Sequence, residues 1–238
     1  MDIVRRLADR LADAYDGPAI DPIAAELPAG DIDAAYAVQM AQVARWQAAG
    51  RRIAGRKIGI TSLAVQRQLG VDTPDFGHVM ADMVFGDGEI LPYDRLQQPR
   101  VEAEVALILD HDLDLADATV ADVVAATGWV LPALEIVGSR IADWKIGIVD
   151  TIADNASAGL VALGGPARRL DGCDLSGCAM TMTVNGALAA VGEGRACLGN
   201  PLNAAVWLAR AAYRLGSPLR AGDLILTGAL GPMAPVRI

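Results

Sequence analysis

The chain contains the stretch Val101-Glu102-Ala103-Glu104-Val105-Ala106-Leu107-Ile108-Leu109, and its pattern determines how the flanking sequence is interpreted. Side chains alternate between the two faces of a β-strand, so every second residue here shares a face. One face is then wholly apolar, while the other carries Glu102 and Glu104 before it also becomes apolar. The pattern predicts a strand that is buried on both sides and holds two acids on one face.

Glu102 and Glu104 need compensation if this strand is buried. Adjacent carboxylates repel each other and burial penalises each charge, so a shared proton, a basic partner or a cation has to lie nearby. The alternative is a solvated strand face with two surface glutamates. Glu135 adds a third acid, alone in the apolar run Leu131-Pro132-Ala133-Leu134-Glu135-Ile136-Val137. Three acids on two apolar strands favour a site for a hard divalent cation such as Mg²⁺, which prefers oxygen ligands.

Composition limits the class of protein. A length of 238 residues suits one large domain or a core domain with an N-terminal extension. Hydrophobic residues make up 53% and aromatic residues 4%, so the core has to consist mainly of Ala, Val, Leu and Ile. The net charge of -9 and the lack of a block of consecutive basic residues argue against nucleic acid or an anionic membrane as the main partner.

The cellular compartment is inferred from the N-terminus and the cysteines. No apolar run is long enough to span a membrane, and the N-terminus lacks the apolar core of a secretion signal, so we expect a cytoplasmic protein. Cys173, Cys178 and Cys197 are odd in number and contain no CxxC pair. With only His78 and His111 besides, and no zinc-ligand spacing, we interpret the cysteines as reduced and structural.

The first part of the chain is predicted to be helical. Apolar residues recur at helical spacing over 3–14, and a second helix is expected to begin near Asp31 or Asp33. We therefore divide the chain into an N-terminal helical part, 1–50, and a β-rich catalytic core, 51–238. Packing or subunit contact is the role expected of the helical part.

Two further segments carry charged residues whose role depends on their surroundings. Lys57 lies in a predicted strand within 53–62, and a solvated surface position is the usual one for lysine. Next to the carboxylates, it would instead orient an anionic substrate or shuttle a proton. The stretch 70–78 is rich in turn formers and carries Asp72 and Asp75, so it is either a substrate-covering loop or an ordinary connection.

The remaining sequence completes a mixed pattern of helices and strands. A capped helix is expected over 119–127, with Gly128 closing it. The polar stretch 139–157 is expected mostly to satisfy loop backbone, with a minority of its groups facing the site. Asn185-Gly186 predicts a two-residue hairpin turn. A helix opening at Asn200-Pro201 follows, and then a final apolar strand over 224–229, which opens into a glycine loop at Thr227-Gly228.

Several motifs occur in order along the chain: Lys57-Ile58-Gly59-Ile60-Thr61-Ser62, Gly70-Val71-Asp72-Thr73-Pro74-Asp75-Phe76-Gly77, Val101-Glu102-Ala103-Glu104, Pro132-Ala133-Leu134-Glu135-Ile136, Asp143-Trp144-Lys145-Ile146 and Asp150-Thr151-Ile152-Ala153-Asp154-Asn155-Ala156-Ser157. Together they resemble the 2-hydroxypenta-2,4-dienoate (2-keto-4-pentenoate) hydratases of the fumarylacetoacetate hydrolase superfamily. The resemblance covers nearly the whole chain. It implies an α+β fold with a mixed β-roll or barrel core, flanking helices and an N-terminal helical part.

The resemblance also implies roles for individual residues. They are the Mg²⁺ or Mn²⁺ ligands Glu102, Glu104 and Glu135, the catalytic Lys57 and Asp75, and the substrate-binding Ser157 and Thr227. The expected enzyme is a hydro-lyase of aromatic catabolism by meta-cleavage, which converts 2-hydroxypenta-2,4-dienoate through a 2-oxo-3-enoate to 4-hydroxy-2-oxopentanoate. Lys57 and Asp75 would supply an acid and a base, in an order that the sequence leaves open.

The expected partner is a small anionic 2-hydroxydienoate. A homo-oligomer is expected, either alone or in a complex with a pathway enzyme. The related 2-oxo-3-hexenedioate (4-oxalocrotonate) decarboxylases are the first alternative, and a non-catalytic partner subunit of one is the second. A carbon-carbon hydrolase of the superfamily is disfavoured, because both histidines lie outside its matching motifs.

Two departures from the hydratase pattern bear on these expectations. Gly138 stands where the hydratases usually have Asp before Ser139-Arg140, which removes a possible partner for the metal or for Arg140. The sequence also stops at Val236-Arg237-Ile238, whereas relatives usually continue with a further strand or two. We therefore expect altered metal affinity or substrate scope and an incompletely paired last strand.

Overall fold

The computed structural model describes residues 2–237, in which six α-helices accompany ten β-strands. The helices are α1 (Ile3–Ala14), α2 (Ile32–Ala48), α3 (Leu63–Leu69), α4 (Val120–Ala126), α5 (Ile148–Ala153) and α6 (Pro201–Arg214). The strands are β1 (Ile53–Gly59), β2 (Asp75–Met80), β3 (Val84–Gly86), β4 (Arg100–Leu109), β5 (Thr127–Val137), β6 (Leu160–Leu163), β7 (Ala179–Val184), β8 (Ala187–Glu193), β9 (Leu224–Ala229) and β10 (Ala234–Pro235).

Most strands form one curled, mixed sheet. Its order is β2-β1-β9-β4-β5-β6-β3, with β10 also pairing with β4. The pairs β1/β9 and β3/β6 are parallel, and the others are antiparallel. The predicted α+β fold, with a mixed β-roll or barrel core and flanking helices, is confirmed.

The strand predicted over 101–109 is confirmed as β4, at the centre of the sheet. Val105, Leu107 and Leu109 on its apolar face are buried, and Ala106 on the other face is fully buried as well. β4 pairs along its whole length with β5, which places Glu102 directly opposite Glu135. The acids of two separate sequence motifs are thus brought together by strand pairing.

The N-terminal helices pack against this sheet. Asp31, rather than Asp33, caps α2, because its carboxylate accepts a hydrogen bond from the backbone N–H of Ala34. Gln39 on α2 is fully buried and donates to the carbonyls of Phe76 and Ile152. One apolar cluster includes residues of both α1 and the sheet, and the domain division at residue 50 stays a prediction.

Three local interpretations are corrected by the sheet. Residues 75–78 are neither a covering loop nor a simple connection, because they begin β2, which pairs with β1 and is buried throughout. Gly128 lies inside β5 and does not end α4, since Thr127 already caps the helix with its hydroxyl on the Val123 carbonyl. The polar stretch 139–157 does not consist mostly of loop backbone, because it includes α5, whose residues Val149, Ile152 and Ala153 are buried.

The last third of the chain follows the predicted order. Asn185-Gly186 joins β7 and β8 into a separate two-stranded sheet, and Asn200 caps α6. β10 pairs with the start of β4. Within residues 2–237, no helix combines the length and apolar character needed to cross a membrane.

Candidate metal and substrate site

An acidic cluster forms where β4 and β5 pair. Glu102, Glu104 and Glu135 each offer a carboxylate oxygen, and these oxygens lie within 4.8 Å of one another. Glu104 and Glu135 are buried, whereas Glu102 is partly exposed. Two of the acids share a face of β4, two residues apart, and the third lies across the strand pair. The predicted grouping of the three acids is therefore present.

The donor set of this cluster fits a divalent cation. The backbone N–H of Gly228 donates to Glu104 Oε2 at 2.7 Å. Glu104 Oε1 and Glu135 Oε2 are buried and have no hydrogen-bond partner within the described residues, and Glu135 Oε1 has only the Lys57 ammonium, 3.3 Å away. Buried carboxylate oxygens without partners are costly. A hard cation with oxygen ligands would satisfy them.

Burial raises the pKa values of all three carboxyl groups, and repulsion within the cluster adds to the shift for Glu102 and Glu104. The pKa of Glu102 is raised to about 7, first by desolvation and then by the charge of Glu135. Burial also raises the pKa of Glu104, and the charges of Glu135 and Glu102 add to the shift. Burial likewise raises the pKa of Glu135, although Lys57 opposes the shift. The free cluster therefore favours partial protonation at neutral pH.

Lys57 lies beside this cluster and not at the surface. Its side chain is only 4% exposed, with Nζ 3.3 Å from Glu135 Oε1 and a hydrogen bond of 2.8 Å to the carbonyl of Ala156. The surface position favoured for a lone lysine is wrong, because β1 lies inside the sheet between β2 and β9. Burial alone would lower the pKa of Lys57, but the carboxylates, Glu135 foremost, raise it above its ordinary value.

Asp75 is brought next to Lys57 by the pairing of β1 with β2. It is 1% exposed and lies opposite Gly59, and its Oδ2 accepts a hydrogen bond from Thr151 Oγ1 at 3.2 Å. A Cβ added at Gly59 would collide with Asp75 Oδ1 and contact Lys57 Nζ. Glycine at this point of the strand therefore allows the two charged groups to approach. Burial raises the pKa of Asp75, while Lys57 opposes the shift.

The two predicted substrate-binding residues have different environments. Ser157 is buried, and its Oγ has no hydrogen-bond partner within residues 2–237. Thr227 is fully buried, and its hydroxyl donates to the Val105 carbonyl at 2.8 Å. Ser157 therefore has a free hydroxyl to offer a ligand, whereas the Thr227 hydroxyl proton is engaged with β4.

Sequence reasoning missed the backbone groups that complete the site. The carbonyl of Ala156 and the N–H of Gly228 bind Lys57 and Glu104, respectively. Neither group could be assigned from residue type, because every residue has a carbonyl and nearly every residue has an N–H. The glycine in the predicted Thr-Gly loop was the one available signal for Gly228.

The departure at Gly138 leaves Arg140 fully bonded. Arg140 donates to the carboxylate of Asp154 at 2.5 Å and to the carbonyls of Asp154 and Ala158. A Cβ at Gly138 would lie 2.8 Å from the carbonyl oxygen of Gln97. A side chain at this position would thus meet the Gln97 backbone, and Arg140 needs no partner from it.

A large cavity adjoins the cluster and does not contain it. It has a volume of about 760 Å³ and a mostly apolar wall that includes Leu131, Met180 and Leu230. Of the predicted site residues, only Glu104 reaches this wall. We therefore locate the site by its buried, unpaired polar atoms and not by cavity size.

Comparisons with known proteins assign this arrangement to a family. Residues 54–237 match the family model described as fumarylacetoacetate (FAA) hydrolase C-terminal. The chain belongs to the fumarylacetoacetate hydrolase family. As a member, it is 57% identical over 222 residues to "2-keto-4-pentenoate hydratase 2" of Dechloromonas aromatica, covering 93% of this chain and 85% of that one. It is 51% identical over 235 residues to the "2-keto-4-pentenoate hydratase" of Burkholderia vietnamiensis, covering 98% and 90%.

Solved structures of similar proteins have the same fold. The 4-oxalocrotonate decarboxylase from Pseudomonas putida G7, complexed with magnesium and adipate, matches with a TM-score of 0.95 and 31% identity. The match covers 98% of this chain and 89% of that one. The fumarylpyruvate hydrolase from Pseudomonas aeruginosa matches with a TM-score of 0.57 at 16% identity, which supports the fold alone. The predicted membership of the 2-keto-4-pentenoate hydratase group is confirmed.

Proposed function

We propose that this chain is a metal-dependent hydratase that converts 2-hydroxypenta-2,4-dienoate and water to 4-hydroxy-2-oxopentanoate. The observation that carries the proposal is the buried cluster of Glu102, Glu104 and Glu135, with unpaired carboxylate oxygens beside the Lys57 ammonium. The relatives named 2-keto-4-pentenoate hydratase support this reaction class, since the identity extends over nearly the whole chain.

We assign the three glutamates as ligands of Mg²⁺, with Mn²⁺ as the alternative. Three oxygen donors leave room for further oxygen ligands in the octahedron that Mg²⁺ prefers. The magnesium in the structure of the related decarboxylase supports this choice. When bound, the cation would supply Lewis acidity that stabilises negative charge on the C2 oxygen of the substrate.

Lys57 and Asp75 are the proposed proton carriers. The reaction needs a proton at C5 as the C2 hydroxyl becomes a carbonyl, and then addition of water, with its oxygen at C4 and a proton at C3. Lys57 is the basic group beside the acidic cluster, with Nζ 3.3 Å from Glu135 Oε1, so we assign its ammonium the donation to C5. Asp75 Oδ1 has no hydrogen-bond partner within the described residues, so we assign it the orientation and deprotonation of the water.

Ser157 and Thr227 complete the proposed substrate site. The unpaired hydroxyl of Ser157 can donate to an oxygen of the substrate. Thr227 ties β9 to β4 next to Gly228, whose N–H holds Glu104. Its direct contact with the substrate stays a prediction.

We also propose a homo-oligomer in the cytoplasm. The side chains of Leu188 and Val191 on β8 are 66% and 59% exposed. Apolar side chains grouped on one exposed hairpin are typical of subunit contacts. Their position supports an oligomer without specifying the number of subunits.

The test uses freshly generated 2-hydroxypenta-2,4-dienoate with Mg²⁺, following the loss of its ultraviolet absorbance and identifying the product by mass. We expect a product one water heavier, which the Glu104→Gln variant does not form. The high structural similarity to 4-oxalocrotonate decarboxylase makes decarboxylation the second candidate. Carbon dioxide release from 2-oxo-3-hexenedioate, without hydration of the dienoate, would favour it. No turnover of either compound would favour a non-catalytic partner subunit.

A further inference from the structure

Three consecutive residues adopt a left-handed backbone conformation immediately after α5. Asn155, Ala156 and Ser157 have φ angles of 53°, 50° and 55°. Such angles are tolerated by asparagine but are unfavourable for alanine and serine, whose Cβ atoms crowd the following carbonyl. A run of three persists only where the surrounding structure holds it.

The side chain of Asn155 holds this turn against β2. Its Oδ1 accepts a hydrogen bond from the backbone N–H of His78 at 2.7 Å, and its Nδ2 donates to the carbonyl of the same residue at 2.9 Å. β2 is an edge strand of the sheet, so the amide occupies both backbone groups that a further strand would otherwise use. Asn155 is fully buried, which makes the loss of either bond costly.

The turn lies so close to β2 that no side chain fits at Gly77. A Cβ added at Gly77, the neighbour of His78, would collide with the carbonyl oxygen of Asn155. The other end of the turn is tied to Gly138, the residue that follows β5, by the hydrogen bond from its N–H to the carbonyl of Ser157. The left-handed turn is therefore fixed at both ends, with Ala156 between them.

The middle of the turn contacts the proposed proton donor. The carbonyl of Ala156 accepts the hydrogen bond from Lys57 Nζ at 2.8 Å, and the same Nζ lies 3.3 Å from Glu135 Oε1. In a right-handed turn, the Ala156 carbonyl would point away from Lys57, and the ammonium would lose its uncharged hydrogen-bond acceptor. The direction of this carbonyl therefore determines where the ammonium is held.

We propose that Asn155 is a positioning residue, whose amide clamps the left-handed turn to β2 and so directs the Ala156 carbonyl onto the Lys57 ammonium. The inference rests on the proposed function only where it predicts catalysis. The geometric part concerns Lys57 alone and can be measured without substrate.

The chain offers a direct readout, because Lys57 and Lys145 are its only lysines. Lysine labelled with ¹³C at Cε gives two NMR signals, and Lys145→Arg assigns them. Asn155→Gly removes the amide while keeping a residue suited to positive φ. The matched control is Asn203→Ala, which removes an exposed amide bonded to the Leu198 carbonyl.

We expect Asn155→Gly to shift the Lys57 signal and leave that of Lys145 unchanged, while Asn203→Ala moves neither. In the hydration assay, kcat should fall about 10-fold or more, because small displacements of a reacting group are costly. KM and the Mg²⁺ affinity measured by calorimetry should stay within about 2-fold of the wild-type values, because the contacts that bind substrate and metal before the reaction are retained. Thermal unfolding should show that Asn155→Gly is folded at the assay temperature.

An unchanged Lys57 signal in folded Asn155→Gly would overturn the proposal, whatever happens to kcat. An equal loss of Mg²⁺ affinity and kcat would also overturn it, because the role would then be general support of the site. If the wild-type chain does not hydrate the dienoate, the proposed function fails, while the NMR comparison still decides the role of Asn155.

Discussion

Lys57 Nζ lies 3.3 Å from Glu135 Oε1, and both side chains are almost completely buried. The ammonium is the one basic group that contacts the three-carboxylate cluster within the described residues. A buried ion pair of this kind costs desolvation on both sides, and its stability contribution is easily outweighed. The presence of this buried pair inside the sheet is better explained by chemistry at the cluster.

Replacing Lys57 by methionine should remove the proposed proton donor. We expect Lys57→Met to lower the hydration rate about 100-fold or more, the usual range for loss of a general acid. Initial rates at saturating Mg²⁺ measure the effect. Lys145→Met is the matched control, because Lys145 is 68% exposed and pairs only with the exposed Asp143. A Lys57→Met rate near that of the control would contradict the assignment.

Glu104→Gln should weaken Mg²⁺ binding without lowering the stability of the metal-free protein. Glutamine keeps an acceptor for the Gly228 N–H but removes one buried negative charge, so the metal-free protein should melt no lower than the wild type. The Mg²⁺-induced rise in Tm should disappear, and affinity by calorimetry should fall at least about 10-fold. Glu193→Gln, which alters an exposed glutamate paired with Arg195, is the control. Unchanged Mg²⁺ affinity in Glu104→Gln would exclude this residue as a ligand.

Ser157→Ala should lower the activity without lowering the stability. The Ser157 hydroxyl is buried without a partner, so its removal should change the free energy of unfolding by less than about 1 kcal/mol or stabilise the protein. Hydration should nevertheless slow, since the hydroxyl is the proposed contact to the substrate. In Ser139→Ala the lost acceptor of the Ile141 N–H should cost about 1 kcal/mol. Denaturant titrations and rates of both variants test the contrast, and full activity of Ser157→Ala would refute the contact.

His78 should make the fold sensitive to acid. Its Nδ1 contacts Gln39 Oε1 at 3.1 Å, its Nε2 has no partner within residues 2–237, and burial, aided by Arg56, lowers its pKa to about 3. A histidine whose pKa is lower in the folded than in the unfolded state contributes stability above about pH 6.5, which is lost as the pH falls towards 3.

Urea titrations across this range measure the predicted loss. We expect the free energy of unfolding to fall less steeply for His78→Asn, whose amide can replace Nδ1–H, than for the wild type. His111→Asn, at the exposed second histidine, should follow the wild-type slope. Parallel curves for all three proteins would show that His78 does not determine the acid sensitivity.

The sequence by itself determined the elements with a strong local pattern. Alternation predicted β4, helical spacing predicted α1, the capping residues near Asp31 predicted α2, and Asn185-Gly186 predicted the β7–β8 turn. The three glutamates were identifiable because a carboxylate in an apolar strand requires compensation, whatever lies around it. These inferences depend on residues close in sequence. The structure confirms the elements and brings the three glutamates together, and their role as metal ligands stays a proposal.

Only the tertiary structure decided which groups meet. Lys57 has an ordinary lysine sequence context, and its burial follows from strands on either side that are distant in the chain. The sequence around Asp75 is typical of a turn, and only the pairing of β2 with β1 shows that Asp75 lies in a strand. The left-handed turn at 155–157 has no sequence signature, because contacts to β2 and to Gly138 impose it against local preference. Burial and backbone direction depend on neighbours distant in sequence, and local periodicity carries no information about them.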